Sequence, residues 1–261
     1  MKKTSYKNIN VVYTDHGQGP CVVLLHGYLE TSRIWEDFVQ KFPEGIRLIS
    51  IDLPGHGASG TWGPSHQMDD LAASVLAVLE AEQVEKVFLA GHSMGGYVTM
   101  AFVELFPERL LAYSLVHSTC YADTEEKKKN RDREISLVRC GKKGQIINVN
   151  IPKGFATDNV DRMSGEVERV RQIAQSNPDE GVVAILNGMK ERPDRSHVLK
   201  DPSLPLLLIG GMKDNYIPVE VFEQLVLMAP HASVLKLGNS GHMGFIEEAD
   251  KVVRAMVEML F

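Results

Sequence analysis

Short runs of aliphatic and β-branched residues alternate along the chain with stretches in which apolar residues recur at helical spacing. Cys21 to Leu25, Arg47 to Asp52, Lys86 to Ala90, Leu111 to Val116, Leu206 to Ile209 and Ser233 to Leu237 are the strand candidates. Most are nearly continuous in apolar residues, the pattern of strands buried on both faces of a mainly parallel sheet. Between them Ile34, Trp35, Phe38, Val39 and Phe42 keep helical spacing, as do Met68, Leu71, Val75 and Leu79, and at the end Ile246, Ala249, Val253, Met256 and Leu260. The alternation predicts an α/β architecture with helices on both faces of the sheet. The segments Tyr6 to Ile9 and Asn10 to Asp15 predict a hairpin at one sheet edge, which brings the expected strands to eight.

The rhythm breaks from about Thr119 to Pro202, where helical patterns replace strands. Val182, Ile185, Leu186 and Met189 sit at i, i+3, i+4 and i+7, and Val167, Val170 and Ala174 form a shorter version. The expected organisation is a core of residues 1–118 and 203–261 with a helical cap insertion at 119–202. The charge-rich part from Asp123 to Lys143 reads as a solvated helix face.

Composition narrows the function classes. A chain of 261 residues, 44% hydrophobic, can hide roughly 70 to 75% of its unfolded surface in one large core. A net charge of -6 and a pI near 5.9 leave no basic stripe for phosphates, so nucleic acid is not an expected partner. No apolar run approaches the ~20 residues that span a bilayer, and Tyr6 to Gly19 is too polar for a signal-peptide core. Cys21, Cys120 and Cys140 are widely spaced and form no C-x-x-C pair, which fits free thiols and a cytoplasmic location.

Chemistry enters with Gly91-His92-Ser93-Met94-Gly95-Gly96, placed between the strand candidate ending at Ala90 and a helical run that begins near Tyr97. This is G-x-S-x-G in the strand–turn–helix context that gives it meaning. The flanking glycines permit a tight turn, and the helix N-terminus points free N–H groups at the serine. A neutral hydroxyl is a poor nucleophile, so a base must take its proton and a third group must fix the tautomer of that base. His242, in the glycine-flanked loop Asn239 to Gly244, is the candidate base. Asp214, just beyond the strand ending at Ile209, is the candidate orienting acid. Asp52 is the rival acid, but Leu53-Pro54-Gly55 follows at once and suits a turn. Two backbone N–H groups must meet the oxyanion. Met94, directly after the serine, is one candidate, and Tyr28 in His26-Gly27-Tyr28-Leu29 is the other.

Taken with Asp52-Leu53-Pro54-Gly55-His56-Gly57-Ala58-Ser59, these pieces resemble the α/β-hydrolase superfamily, in its small esterase, enol-lactonase and cofactor-free haloperoxidase branch. The order Ser93, Asp214, His242 is that family's order. Gly188 to Asp194 is similar to the segment that precedes the Asp-bearing strand in many members. The resemblance implies a catalytic triad, a largely preformed oxyanion hole and a helical cap. Dehalogenases and epoxide hydrolases of the superfamily carry an aspartate at the elbow, where this chain has Ser93.

Other motifs fall away on context. Gly55 to Gly60 matches G-x-G-x-x-G, but Thr61-Trp62-Gly63-Pro64 follows where a dinucleotide site needs a helix. There is no Walker loop and no H-E-x-x-H. His26, His56, His66 and His92 read as turn and orienting residues, so no metal and no cofactor is expected. The sequence thus predicts hydrolysis of a small-molecule acyl substrate, an ester, lactone or thioester, through an acyl-enzyme. C–C bond hydrolysis and perhydrolysis use the same residues and stay open, as does a ligand receptor that keeps the fold without the chemistry. Tyr121, Phe155, Met163 and Met189 in the insertion, with Ile217 in the loop after Asp214, are the expected pocket walls.

Overall fold

The computed structural model describes residues 1–261. Its strands are β1 (Lys2–Tyr6), β2 (Ile9–His16), β3 (Cys21–Leu25), β4 (Arg47–Ile51), β5 (Val87–His92), β6 (Leu110–Val116), β7 (Leu206–Gly211) and β8 (Ser233–Leu237). They form one sheet in the order β1-β2-β4-β3-β5-β6-β7-β8. From β4 to β8 all pairings are parallel; β2 runs antiparallel to both β1 and β4. Every residue of β3, β5 and β7 is buried, as their unbroken apolar sequences require.

The helices are α1 (Glu36–Val39), α2 (Met68–Ala81), α3 (Met94–Leu105), α4 (Glu125–Arg139), α5 (Lys143–Gly154), α6 (Thr157–Val160), α7 (Ser164–Ser176), α8 (Asp179–Glu191), α9 (Ser196–Leu199), α10 (Val219–Met228), α11 (Gly244–Glu247) and α12 (Ala249–Glu258). The segment between β6 and β7 holds α4 to α9 and no strand. Its apolar stripes are buried as expected: Val167, Val170 and Ala174 of α7, and Val182, Ile185, Leu186 and Met189 of α8. No helix is long and apolar enough to cross a membrane.

Three local expectations shift. The hairpin turns at Lys7 and Asn8, both with positive φ, so its first strand ends at Tyr6 instead of beginning there. Two left-handed residues match the right-handed twist of paired strands, and asparagine tolerates that conformation. The pattern from Ile34 to Phe42 gives only a 3₁₀ turn at Ser32–Trp35 and the single turn of α1, shortly before Pro43. The C-terminal pattern divides at Glu248, whose Oε2 accepts from Asn239 N (3.0 Å) and Ser240 Oγ (2.7 Å) and so ties the helix junction to the preceding loop.

Candidate active site

The C-terminal ends of five parallel strands converge on one side of the sheet. β3 leads to His26–Glu30, β5 to Ser93, β6 to His117, β7 to Asp214, and β8 to the loop bearing His242. Strand ends of this kind are where an open α/β sheet leaves room for a ligand.

Ser93 has φ 49° and ψ −111°, a conformation costly for an L-residue, of order 1–3 kcal/mol. Its surroundings hold it there. Ser93 N donates to Val116 O at 2.9 Å, and Ser93 O accepts from Gly96 N (2.9 Å) and Ser118 Oγ (2.7 Å). A Cβ on Gly91 would lie 2.2 Å from Gly95 O, and one on Gly95 would lie 2.5 Å from Leu25 O, so both positions demand glycine. α3 begins at Met94, earlier than the apolar pattern suggests, which makes the Met94 N–H the first of four without an intrahelical acceptor. The Met94 side chain is buried beneath the elbow.

His242 Nδ1 lies 2.8 Å from Asp214 Oδ2. A carboxylate only accepts, so Nδ1 carries the proton and Nε2 keeps its lone pair. Asp214 Oδ1 accepts from Tyr216 N (2.7 Å) and Ile217 N (2.9 Å). Burial alone would raise this carboxyl, but the charge of His242 and hydrogen bonds from His117 and His242 outweigh it and hold Asp214 well below the usual carboxylate range. Ser93 and His242 both line a cavity of about 220 Å³ between the strand ends and the insertion. The Ser93 hydroxyl hydrogen-bonds no other side chain in this resting geometry. Such a set can pass a proton from a serine to a histidine whose tautomer a carboxylate fixes.

The loop after β3 is pinned by imidazoles. His26 Nδ1 donates to Gly27 O (2.8 Å) while its Nε2 accepts from Leu53 N (3.0 Å), and His56 Nε2 accepts from Leu29 N (3.1 Å), where φ is 62°. Tyr28 N donates to no protein acceptor. Asp52 lies apart from this set, accepting from Ser32 N (2.7 Å) and Ala58 N (2.8 Å), the turn-forming role its sequence context suggests.

Two residues escaped the sequence reading. Glu30 is buried, accepts from Gly27 N at 2.6 Å and meets His92 Nδ1 at 3.0 Å, while His92 Nε2 donates to His242 O at 3.0 Å. This chain of contacts joins the β3 loop, the serine elbow and the histidine loop. Burial alone would raise the Glu30 carboxyl, but His92 and the Gly27 N–H pull it below its ordinary value. His117 accepts from Gly244 N at Nε2 (3.2 Å), so its Nδ1 carries the proton toward Asp214 Oδ2 (3.3 Å). His117, Asp214 and His242 are close enough to offer a metal three ligands, but that tautomer leaves His117 Nδ1 no lone pair to give.

Of the expected pocket walls, Met189 and Ile217 line the cavity, as does Tyr28. Tyr121, Phe155 and Met163 do not: Phe155 is fully buried in the core, Met163 packs against it, and the Tyr121 carbonyl accepts from Arg192. The expectation of a solvated helix face over Asp123–Lys143 is corrected in part: Lys127 and Asn130 are exposed, but with Arg131 and Glu134 they line the cavity, and Asp123 is buried. The insertion further braces the histidine loop, through His242 N to Gly154 O (2.7 Å) and through Glu247, whose carboxylate accepts from Gly241 N and Ala156 N, each at 2.8 Å.

The family model for the alpha/beta hydrolase fold matches residues 20–249. The chain belongs to that family. Among sequence relatives, it is 30% identical over 249 residues to the dihydrolipoyllysine-residue acetyltransferase component of the acetoin cleaving system of Pseudomonas putida, covering 93% of this chain and 64% of that protein. The chain therefore spans less than two thirds of that relative. A 2-hydroxy-6-oxononadienedioate/2-hydroxy-6-oxononatrienedioate hydrolase of Burkholderia vietnamiensis is 28% identical over 262 residues, 97% of this chain and 91% of that one. Among solved structures, a thermophilic esterase from Thermogutta terrifontis, described with malate bound, superposes with a TM-score of 0.92 at 30% identity, over 97% of this chain and 93% of that one.

The buried histidines of this α/β hydrolase make its stability pH-dependent. Burial pushes His26 and His56 below the ordinary value and His117 down to about 4, against the pull of Asp214 on His117. The unfolded chain takes up these protons near pH 6.5 and the folded one does not, so stability is full above 6.5 and falls as pH drops toward 4. His117 alone contributes about 3 kcal/mol to that loss. Melting temperatures should hold between pH 8 and 7 and decline steadily below 6.5, less steeply in His117→Asn. A melting temperature unchanged from pH 7 to 4.5 contradicts the neutral state of these groups.

Proposed function

We propose that the protein hydrolyses a small carboxylic ester, lactone or thioester through an acyl-enzyme on Ser93. Ser93 Oγ attacks the acyl carbon as His242 Nε2 takes its proton, and the resulting oxyanion is met by the backbone N–H groups of Tyr28 and Met94. The same proton passes to the departing alcohol or thiol. Water, deprotonated by His242, then releases the acid. Asp214 holds the imidazole in the required tautomer and stabilises its protonated form. The insertion helices roof the cavity and select the acyl group; they supply none of the reacting groups.

The observation that carries this reading is the 2.8 Å contact of His242 Nδ1 with Asp214, behind a cavity that His242 shares with Ser93. A ligand receptor on the same fold has no need of that arrangement. A second reading, cleavage of a carbon–carbon bond in a diketone-like substrate, uses the same residues and is favoured by the dioate hydrolase relative. A fluorophosphonate should label Ser93 and no other residue. A panel of 4-nitrophenyl esters, lactones, thioesters and diketones of graded chain length then ranks the reactions by kcat/KM. An unlabelled Ser93 in folded protein would sink both enzymatic readings.

A further inference from the structure

Lys127, Asn130, Arg131 and Glu134 stand at i, i+3, i+4 and i+7 on α4, so they share one helix face, and that face lines the Ser93 cavity. Ile135 and Val138 stand four residues after Arg131 and Glu134, so the same face continues one turn on as a buried apolar one. Lys127 and Asn130 are exposed and Arg131 and Glu134 half-buried, so the stripe runs from solvent into the cavity that holds Ser93.

The charges of this roof do not balance. The buried Asp123 carboxylate is shared by two guanidiniums: Arg131, through Nε to Oδ2 and through Nη2 at 3.3 Å from Oδ1, and Arg192, whose Nη1 is 2.7 Å from Oδ1. Glu134 accepts from Asn150 Nδ2 at 3.0 Å and pairs with no cation, and Lys127 pairs with no carboxylate. With Arg192 and Asp123, which stand behind the cavity lining, the roof thus sets three cations against two carboxylates. Glu30, in the cavity floor, is already engaged by His92 and Gly27 N.

A second observation is independent of charge. The Tyr28 hydroxyl is buried at the cavity and makes no hydrogen bond of good geometry, although the Glu134 carboxylate stands beside it. Burial and the nearby Glu134 push its ionisation well above the ordinary value, so it remains a donor. An unmet buried donor is costly, and a ligand oxygen removes the cost. The same cavity is lined by Ile151, Met189, Ile217 and Met243, which give it an apolar wall.

A reacting floor, an apolar wall and a cationic roof describe one class of molecule. We propose that the cavity takes an acyl substrate bearing a carboxylate remote from the scissile carbonyl, held by Arg131 and Lys127 with the Tyr28 hydroxyl donating to it. The proposal rests on Ser93 acting as the acyl acceptor. A guanidinium and an ammonium both form charge-assisted bonds to a carboxylate, and a neutral chain end leaves the roof unsatisfied.

Two measurements test it. Hydrolysis of the mono-4-nitrophenyl esters of glutaric and adipic acids is compared with that of the matching ω-amides, in wild type and in Lys127→Gln and Arg131→Gln. The acid esters should be preferred at least tenfold in kcat/KM at low salt, the preference should shrink at high salt, and each variant should cut it severalfold. Lys127 is solvent-exposed at the mouth, so its variant stays interpretable even if Arg131→Gln, which releases Asp123, does not fold. Calorimetric binding of glutarate against glutaramide reads the anion site without turnover. Glutarate binding in a protein that cleaves no ester leaves this site standing and removes the reading of Ser93. Ester cleavage with an acid-to-amide ratio near one, or a preference that survives in Lys127→Gln, overturns the anion site alone.

Discussion

Ser93→Ala is expected to lower kcat by about 10⁶ in a protein that remains folded, the scale of losing a triad serine in another hydrolase. Stability should barely move because nothing structural depends on the Ser93 side chain. Its backbone N–H and carbonyl make the contacts to Val116, Gly96 and Ser118, and alanine keeps all three. Alanine also bears the same positive φ as serine, so the elbow neither gains nor loses its strain. Steady-state kinetics on the best ester of the panel, together with a thermal melt, check the result. A folded variant that retains a tenth of wild-type kcat shows that some other group attacks the acyl carbon.

How much of this was readable from the chain follows from the range over which each signal acts. Ser93 was legible because strand, glycines, serine and helix are contiguous, and local backbone demands are written locally. Asp214 and His242 were legible from their positions just past strand candidates, since parallel strands bring their C-terminal ends together whatever the intervening loops do. Glu30 and His117 were not, because their meaning lies in contacts to His92 and Asp214, which are 62 and 97 residues away. Nothing beside either residue announces those partners.

The insertion was legible as helices and illegible as a pocket. Val182, Ile185, Leu186 and Met189 announce a buried stripe, but periodicity does not say what a stripe is buried against. Phe155 is therefore a core residue, one position after the cavity-lining Gly154. Polar periodicity is more ambiguous still. Lys127, Asn130, Arg131 and Glu134 have the pattern of a solvated face, and only the docking of α4 over the strand ends turns that face toward Ser93.

Exchanging Asp214 for asparagine should reduce kcat by about 10⁴ while Asp52→Asn leaves kcat near wild type. The two carboxylates differ in what their second oxygen does. Asp214 Oδ1 serves two backbone N–H groups and Oδ2 serves two imidazole N–H groups, so all four neighbours are donors. Asparagine can present its oxygen to only one of these pairs. With the oxygen kept on Tyr216 N and Ile217 N, its amide NH₂ faces the His242 Nδ1–H, donor against donor. The imidazole escapes by moving its proton to Nε2, which removes the lone pair that must accept the Ser93 proton. In Asp52→Asn the loss falls on a turn, where either Ser32 N or Ala58 N forfeits its acceptor. An unmet buried donor costs about 1–3 kcal/mol of stability and touches no reacting atom. Kinetics and melts measured side by side separate the two effects. An active, folded Asp214→Asn beside an inactive, folded Asp52→Asn would transfer the orienting role to Asp52.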